Sequence, residues 1–118
     1  MTLSHGDVVL VPFPFTNLKA AKQRPALVLS SSAYNASSRD VILCAMTSNL
    51  QNTGHSVLVT GRDMAKGRLL AESRVKADKV VTVEATIVRK IVGAVKPGIL
   101  KQVYKELLAI LPADARPT

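Results

Sequence analysis

KQRPALVL, residues Lys22–Leu29, is the stretch around which this sequence is organised, because a charged loop gives way there to an apolar strand. Pro25 fixes its own φ angle and restricts Arg24 to an extended conformation. We therefore expect Arg24 at the rim of a sheet, where a guanidinium can bind a phosphate through two parallel hydrogen bonds. A second rim follows one strand later, where the apolar run VILCAM (41–46) ends in TSN (47–49). We interpret these two rims as one site.

The same residues also fit a purely structural interpretation. Arg24 would then be a solvated loop charge, and Thr47 would only mark the end of a strand, where hydroxyl residues commonly begin a turn. The spacing of the two residues does not choose between these interpretations.

Length and composition predict one folded domain. The chain has 118 residues, of which 47% are hydrophobic, so it is long enough for one core and is not intrinsically disordered. We expect a single domain over residues 1–118, with its core over about 6–111. Aromatic residues make up only 3%, with no tryptophan, which predicts an aliphatic core and argues against a nucleic-acid platform built from many stacked aromatics.

The net charge of +8, from 16 basic and 8 acidic residues, favours an anionic partner such as nucleic acid, a membrane surface or an acidic protein. Two segments, 16–24 and 85–105, carry basic residues and no acidic one. They contribute Lys19, Lys22 and Arg24, and Arg89, Lys90, Lys96, Lys101 and Lys105. Patches of one sign on separate segments suit a surface that follows phosphates.

The single cysteine, Cys44, excludes an internal disulfide and is expected to be a small core residue. The N-terminus has no basic start followed by an apolar stretch, so no signal peptide is predicted. No apolar run approaches the length of a membrane span. We therefore expect a cytoplasmic protein.

Apolar runs and turn residues predict a mainly β chain. We expect strands over 8–13, 26–30, 41–46, 55–60, 75–83 and 87–95, and short helical turns over 31–36 and 63–66. Prolines 12 and 14 would end the first strand and place it at a sheet edge, before a loop over 14–23. Apolar residues spaced by three and four predict one longer helix over 99–111.

Several predicted strands are apolar at consecutive positions, which indicates a sheet covered on both faces. One helix of about thirteen residues is too short to cover a whole sheet. We therefore infer a small antiparallel β-barrel, assembled as a homodimer.

The sequence lacks most residue patterns of hydrolytic sites. His5 and His55 are not tied together by any motif, and neither a metal-ligand cluster nor a phosphate-binding glycine loop is present. We therefore expect no metal and no cofactor. Arg24, Thr47 and Ser48 remain, and they suit RNA, whose 2′-hydroxyl can itself attack the adjacent phosphate. Arg24 would stabilise the added negative charge and donate a proton to the leaving oxygen, and Thr47 would hydrogen-bond a phosphate oxygen.

These residues also resemble a known family. The order GDVVLVPF (6–13), a basic loop, RPALVL (24–29), YN (34–35) and MTS (46–48), followed by the segments 67–73 and 78–83, IVG (91–93) and a C-terminal helix, is similar to the PemK/MazF toxin endoribonucleases. The resemblance implies an SH3-like antiparallel β-barrel with short helices, related to that of the CcdB gyrase poisons. It also implies a homodimer, neutralised by an antitoxin, that cleaves single-stranded RNA without a metal, leaving 2′,3′-cyclic phosphate and 5′-hydroxyl ends.

The resemblance assigns roles to particular residues. The catalytic arginine and threonine of the family correspond to Arg24 and Thr47. The loop before the arginine, which helps to hold RNA, corresponds to residues 15–23, and many members carry Gly-Ser-Glu there, where this sequence has no acid. The expected RNA-binding residues are Phe15, Lys19, Lys22, Gln23, Ser48 and Asn49.

Two other functions fit the same barrel. A CcdB-like gyrase poison would act without any chemistry, although the RP and TS motifs argue against it. A barrel that has lost its activity would bind nucleic acid with a salt-dependent affinity and release no fragments.

Overall fold

The computed structural model of this chain describes residues 1–12 and 23–114. The strands are β1 (Asp7–Pro12), β2 (Gln23–Val28), β3 (Asp40–Thr47), β4 (Ser56–Val59), β5 (Met64–Gly67), β6 (Ser73–Glu84) and β7 (Lys90–Val95). The helices are α1 (Ser32–Ser37) and α2 (Pro97–Ile110). The strands form one antiparallel sheet in the order β4-β6-β3-β2-β1-β7-β5, curled into a half-barrel. The predicted mainly β architecture with a C-terminal helix is confirmed.

The prediction that the first strand lies at an edge is wrong. β1 lies between β2 and β7, inside the sheet. Pro12 is its last residue and pairs with Gln23, so the N–H that proline lacks falls at the end of the ladder. A proline at a strand end interrupts no pairing inside the strand.

The prediction of a helical turn over 63–66 is also wrong, since Met64–Gly67 form the edge strand β5, paired with β7. A 3₁₀ turn comes just before it. Gly67 and Gly93 allow this pairing: a side chain on Gly67, which has φ +69°, would collide with the Val92 carbonyl, and one on Gly93 with the Lys66 carbonyl. Close approach of the two backbones therefore overrides the local helical preference.

Two neighbouring predictions differ in their bounds. The predicted strand over 75–83 is part of the longer β6, which begins at Ser73 and ends at Glu84. The last strand begins at Lys90 and not at 87, because a 3₁₀ turn over Ala85–Ile87 precedes it. The early start of β6 matters for the site, since it brings residues 73 and 74 beside the end of β3.

Both faces of the sheet are apolar, as the consecutive hydrophobic positions predict. Residues 99, 100 and 103 of α2 pack with one face, which includes Val8, Leu27 and Cys44. The second face, which includes Val9 and Val28, is closed by residues of this chain before β1 and around β6 and β7. Among the described residues, no helix is long and apolar enough to cross a membrane.

Cys44 is fully buried, as predicted, and its thiol donates to the carbonyl of Lys76 at 2.8 Å. Burial, with a smaller contribution from the negative charge of Asp78, raises the pKa of this thiol from 9.0 to about 12. The folded protein therefore keeps the thiol protonated at pH values where the unfolded chain has lost that proton.

We expect Cys44 to resist iodoacetamide at pH 8 in the folded protein and to react readily in urea, because the thiolate is the reactive form. The raised pKa stabilises the fold fully below pH 9.0, and this contribution is lost as the pH rises towards about 12. Mass spectrometry of the labelled protein measures the first effect. Urea unfolding at increasing pH measures the second, and Cys44→Ala should lack that component of the pH dependence.

Candidate active site

Arg24 and Thr47 lie on neighbouring strands at the same end of the sheet. β2 and β3 pair antiparallel, with Ala26 opposite Ala45. Arg24 lies two residues before this pair on β2, and Thr47 lies two residues after it on β3. The fold therefore brings the two predicted catalytic residues to the same end of two neighbouring strands.

Both residues border a cleft of about 260 Å³. Its other lining residues include Gln23, Pro25, Met46 and Ser48 from the two strands and their ends, and Leu69, Leu70 and Ala71 from the segment after β5. Pockets that enclose a whole drug-sized ligand are typically about 300–1,000 Å³. A smaller cleft at the rim of a sheet suits one unit of a longer ligand.

Arg24 is exposed at the beginning of β2. Among residues 1–12 and 23–114, none forms an ion pair or a hydrogen bond with its side chain. Its backbone is fixed within β2, where Arg24 pairs with Val11 of β1. Five N–H donors on a planar group are thus available at a fixed point of the rim.

The hydroxyl of Thr47 is oriented by a hydrogen bond from a nearby backbone N–H. Its Oγ1 accepts a hydrogen bond from the backbone N–H of Asn49 at 3.1 Å. Since one lone pair of the oxygen is used in this way, the hydroxyl hydrogen remains available for donation to a ligand. Thr47 is half-buried, as expected for the last residue of β3.

The other predicted RNA-binding residues fall into two groups. Gln23 and Ser48 are exposed and line the cleft, whereas Asn49 is exposed just beyond it. Phe15, Lys19 and Lys22 lie outside the described residues.

The basic segment over 85–105 is divided by the fold. Lys90 pairs with Leu10 on one side of β1, and Arg24 pairs with the next residue on the other side. Lys96 is instead the residue before α2 and follows Val95, whose N–H binds the Gly6 carbonyl just before β1. Lys96 therefore lies near the opposite end of β1 from Lys90 and Arg24.

Neither histidine lines the cleft. His5 contacts the Leu29 carbonyl through Nδ1 at 3.0 Å and stacks on Tyr104. Nδ1 of His55 lies 3.3 Å from a carboxylate oxygen of Glu106. In the described part of the chain, no three His, Cys, Asp or Glu side chains come together as metal ligands.

Arg74 is a residue of this region that the sequence did not single out. It pairs with Thr47 across β3 and β6, although 27 positions separate the two in the chain. In the sequence, Arg74 stands out only as a basic residue near the start of a strand. The predicted strand over 75–83 began one residue after it and so did not include it. Its pairing depends on the long-range arrangement of β6, which periodicity does not give.

A family model described as a PemK-like, MazF-like toxin of type II toxin-antitoxin systems matches residues 4–111. No curated protein matches the sequence of this chain.

Several solved structures share the fold. An endoribonuclease in complex with its cognate antitoxin, from Mycobacterial species, is 18% identical, with a TM-score of 0.77 over 97% of this chain and 99% of the other. MazF from Deinococcus radiodurans is 24% identical, with a TM-score of 0.77 over 94% and 97%. Toxin MazF-mt6 from Mycobacterium tuberculosis is 17% identical, with a TM-score of 0.73 over 92% and 98%. At these identities the likeness shows the fold, and the predicted MazF-like fold class is confirmed.

Proposed function

This chain belongs to the PemK-like, MazF-like toxins of type II toxin-antitoxin systems, and on that premise we propose that it is an endoribonuclease acting on single-stranded RNA. The RNA 2′-oxygen attacks the adjacent phosphorus, and the bond from phosphorus to the 5′ oxygen breaks. The products are a 2′,3′-cyclic phosphate and a 5′-hydroxyl. No metal takes part in this scheme, because the RNA supplies the nucleophile and the protein supplies the charge.

Arg24 is the charge stabiliser of the proposed reaction. Its planar, permanently charged group can bind two phosphate oxygens at once, where negative charge increases as the 2′-oxygen attacks. It is also the proposed donor of the proton that the departing 5′ oxygen takes up. A guanidinium is a poor base, so the 2′-hydroxyl proton passes to another group or to water, and water returns to Arg24 the proton that it gives to the 5′ oxygen.

Thr47 holds the phosphate from the neighbouring strand. The Asn49 N–H that binds Oγ1 leaves the hydroxyl hydrogen for a phosphate oxygen. A donor fixed in advance costs no reorganisation when charge develops on that oxygen. Gln23, Ser48 and Asn49 are the proposed contacts to the flanking nucleotides, and the same role is proposed for Phe15, Lys19 and Lys22.

The proposed partners follow from charge and family. A mycobacterial endoribonuclease of this fold was solved with its cognate antitoxin, and we extend this to a cognate antitoxin for the present chain. With a net charge of +8 on the toxin, an acidic or amphipathic antitoxin would compete with RNA for the basic rim. The active form is a homodimer, acting in the cytoplasm.

The observation that supports the proposal is that Arg24 and Thr47, on neighbouring strands, line one cleft, where the Asn49 N–H binds Thr47 Oγ1. We expect purified protein to cut single-stranded RNA equally well with and without EDTA. A substrate with a 2′-deoxy sugar at the cut site should stay intact, because the nucleophile is missing. Sequencing of the fragment ends gives the cleavage site, and phosphorylation of the new 5′ ends by a kinase shows that they are hydroxyls.

Other outcomes would contradict this proposal. Equal cleavage of the 2′-deoxy substrate would exclude attack by the RNA itself. RNA that stays whole while gyrase is inhibited would indicate a poison of the CcdB type. Salt-dependent RNA binding without fragments would indicate a barrel that binds but does not cleave.

A further inference from the structure

The side chain of Arg74 anchors the loop from Ser48 to His55, which we call the β3–β4 loop, through hydrogen bonds. The Nε of Arg74 donates to the Leu50 carbonyl at 2.7 Å, and Nη1 donates to Ser56 Oγ at 3.2 Å. One guanidinium thus joins the beginning of this loop to the first residue of β4. A planar group with donors at fixed angles can make both contacts only in one arrangement of the loop.

These contacts act on Thr47 through a short stretch of backbone. Thr47 is fixed at one end of the stretch by its pairing with Arg74 across β3 and β6. Leu50 is fixed at the other end by the Arg74 side chain. Between them lies Asn49, whose N–H binds Thr47 Oγ1. The position of the Asn49 N–H therefore depends on the strand pairing of Thr47 and on the hydrogen bond to Leu50, and Arg74 makes both.

We propose that Arg74 is a positioning residue for RNA cleavage, which keeps the Asn49 N–H on Thr47 Oγ1 and so directs the threonine hydroxyl at the phosphate. This inference rests on the proposed endoribonuclease activity and deepens it. Arg74 acts through the loop and does not itself contact the reacting atoms.

The geometry of Arg74 matters here, and not only its charge. Arg74 lies beside Thr47 and adds positive charge near the phosphate, which any cation at this position would also supply. A lysine keeps the charge but has one compact ammonium group in place of the planar fork. It cannot reproduce the pair of contacts to the Leu50 carbonyl and Ser56 Oγ with the same geometry. Arg74→Lys therefore separates the two contributions.

We expect Arg74→Ala to lower kcat for RNA cleavage by about 10- to 100-fold, a loss typical of a catalytic group displaced by about 1 Å. KM should change much less, because Arg24 and the remaining basic residues still bind the RNA backbone. Arg74→Lys should recover little of the lost kcat. Ser56→Ala removes the Nη1 acceptor, together with a donor to Asn52 Oδ1 at 3.4 Å, and should give a smaller loss of the same kind.

Lys76→Ala is the matched control. Lys76 lies two residues further along the same strand and donates to Thr53 Oγ1 at 2.6 Å, near the other end of the loop. The Lys76→Ala substitution removes one cation and one loop contact but no hydrogen bond of residues 47–50. We therefore expect kcat to stay close to that of the unchanged protein. ¹⁵N relaxation, which needs no RNA, should show increased motion of the Asn49 and Leu50 amides in Arg74→Ala and not in Lys76→Ala.

Several results would overturn the inference. An Arg74→Ala protein with unchanged kcat and unmoved Asn49 and Leu50 amides would show that the loop does not need this residue. Full recovery by Arg74→Lys would assign the effect to charge. If Arg74→Ala fails to fold, Arg74→Lys and Ser56→Ala decide, and normal kcat in both would reject the positioning role. A failure of the unchanged protein to cleave RNA would instead reject the proposed function, and the relaxation data would still report on the loop.

Discussion

Arg24→Ala is expected to reduce RNA cleavage by about 10²- to 10³-fold, the usual cost of removing one preorganised donor to a developing negative charge. The loss should be mainly in kcat, because charge on the phosphate increases after binding. The fold should be unaffected, since Arg24 is exposed and its side chain forms no hydrogen bond or ion pair with any other residue of the described ranges. Initial rates on a short single-stranded RNA, compared with circular dichroism and thermal unfolding, test both statements.

Two variants sharpen this prediction. Arg24→Lys keeps the charge but loses the bidentate geometry, so it should recover only part of the activity. Arg39→Ala is the control for a lost surface charge, because Arg39 is exposed and lies just before β3, at the end opposite Thr47. Arg39→Ala should cleave normally. If Arg24→Ala also cleaves at the normal rate, Arg24 is only a solvated charge, which is the structural interpretation of the sequence.

The two strands of the site could be predicted from the sequence because each one is marked by the residues within it and directly beside it. The run after Pro25 and the run before Thr47 are apolar and bounded by polar residues, which is enough to locate two buried strands. That these two strands lie side by side in the sheet could also be predicted, since strands that are consecutive in the chain are usually adjacent. The hydrogen bond from Asn49 to Thr47, and the lack of an ion pair or hydrogen bond to the Arg24 side chain within residues 1–12 and 23–114, are finer than any residue pattern and needed the structure.

Long-range pairing explains what the sequence did not give. β5 was mistaken for a helical turn because its partner is β7, and the contact depends on two glycines 26 positions apart. The place of β1 inside the sheet was missed because a proline at a strand end was taken as a sign of an edge. Arg74 was missed for a related reason, because β6 reaches Thr47 only after β4 and β5 have intervened.

Thr47→Ala is expected to reduce cleavage by about 10²-fold, at the lower end of the range for a lost transition-state donor. Thr47→Ser keeps the hydroxyl and should retain most of the activity. Thr47→Val keeps the shape and suits a strand, yet it removes the donor, so it should be as inactive as Thr47→Ala. Comparing serine with valine therefore separates the hydroxyl from the branched shape.

The fold should tolerate all three substitutions at Thr47. The Asn49 N–H loses its partner in the alanine and valine variants, but Asn49 is exposed and water can replace the hydroxyl oxygen. Thermal unfolding should therefore change little while the cleavage rate falls. A valine variant with normal kcat would show that the hydroxyl gives no hydrogen bond in the transition state, and the phosphate would then be held by Arg24 without help from β3.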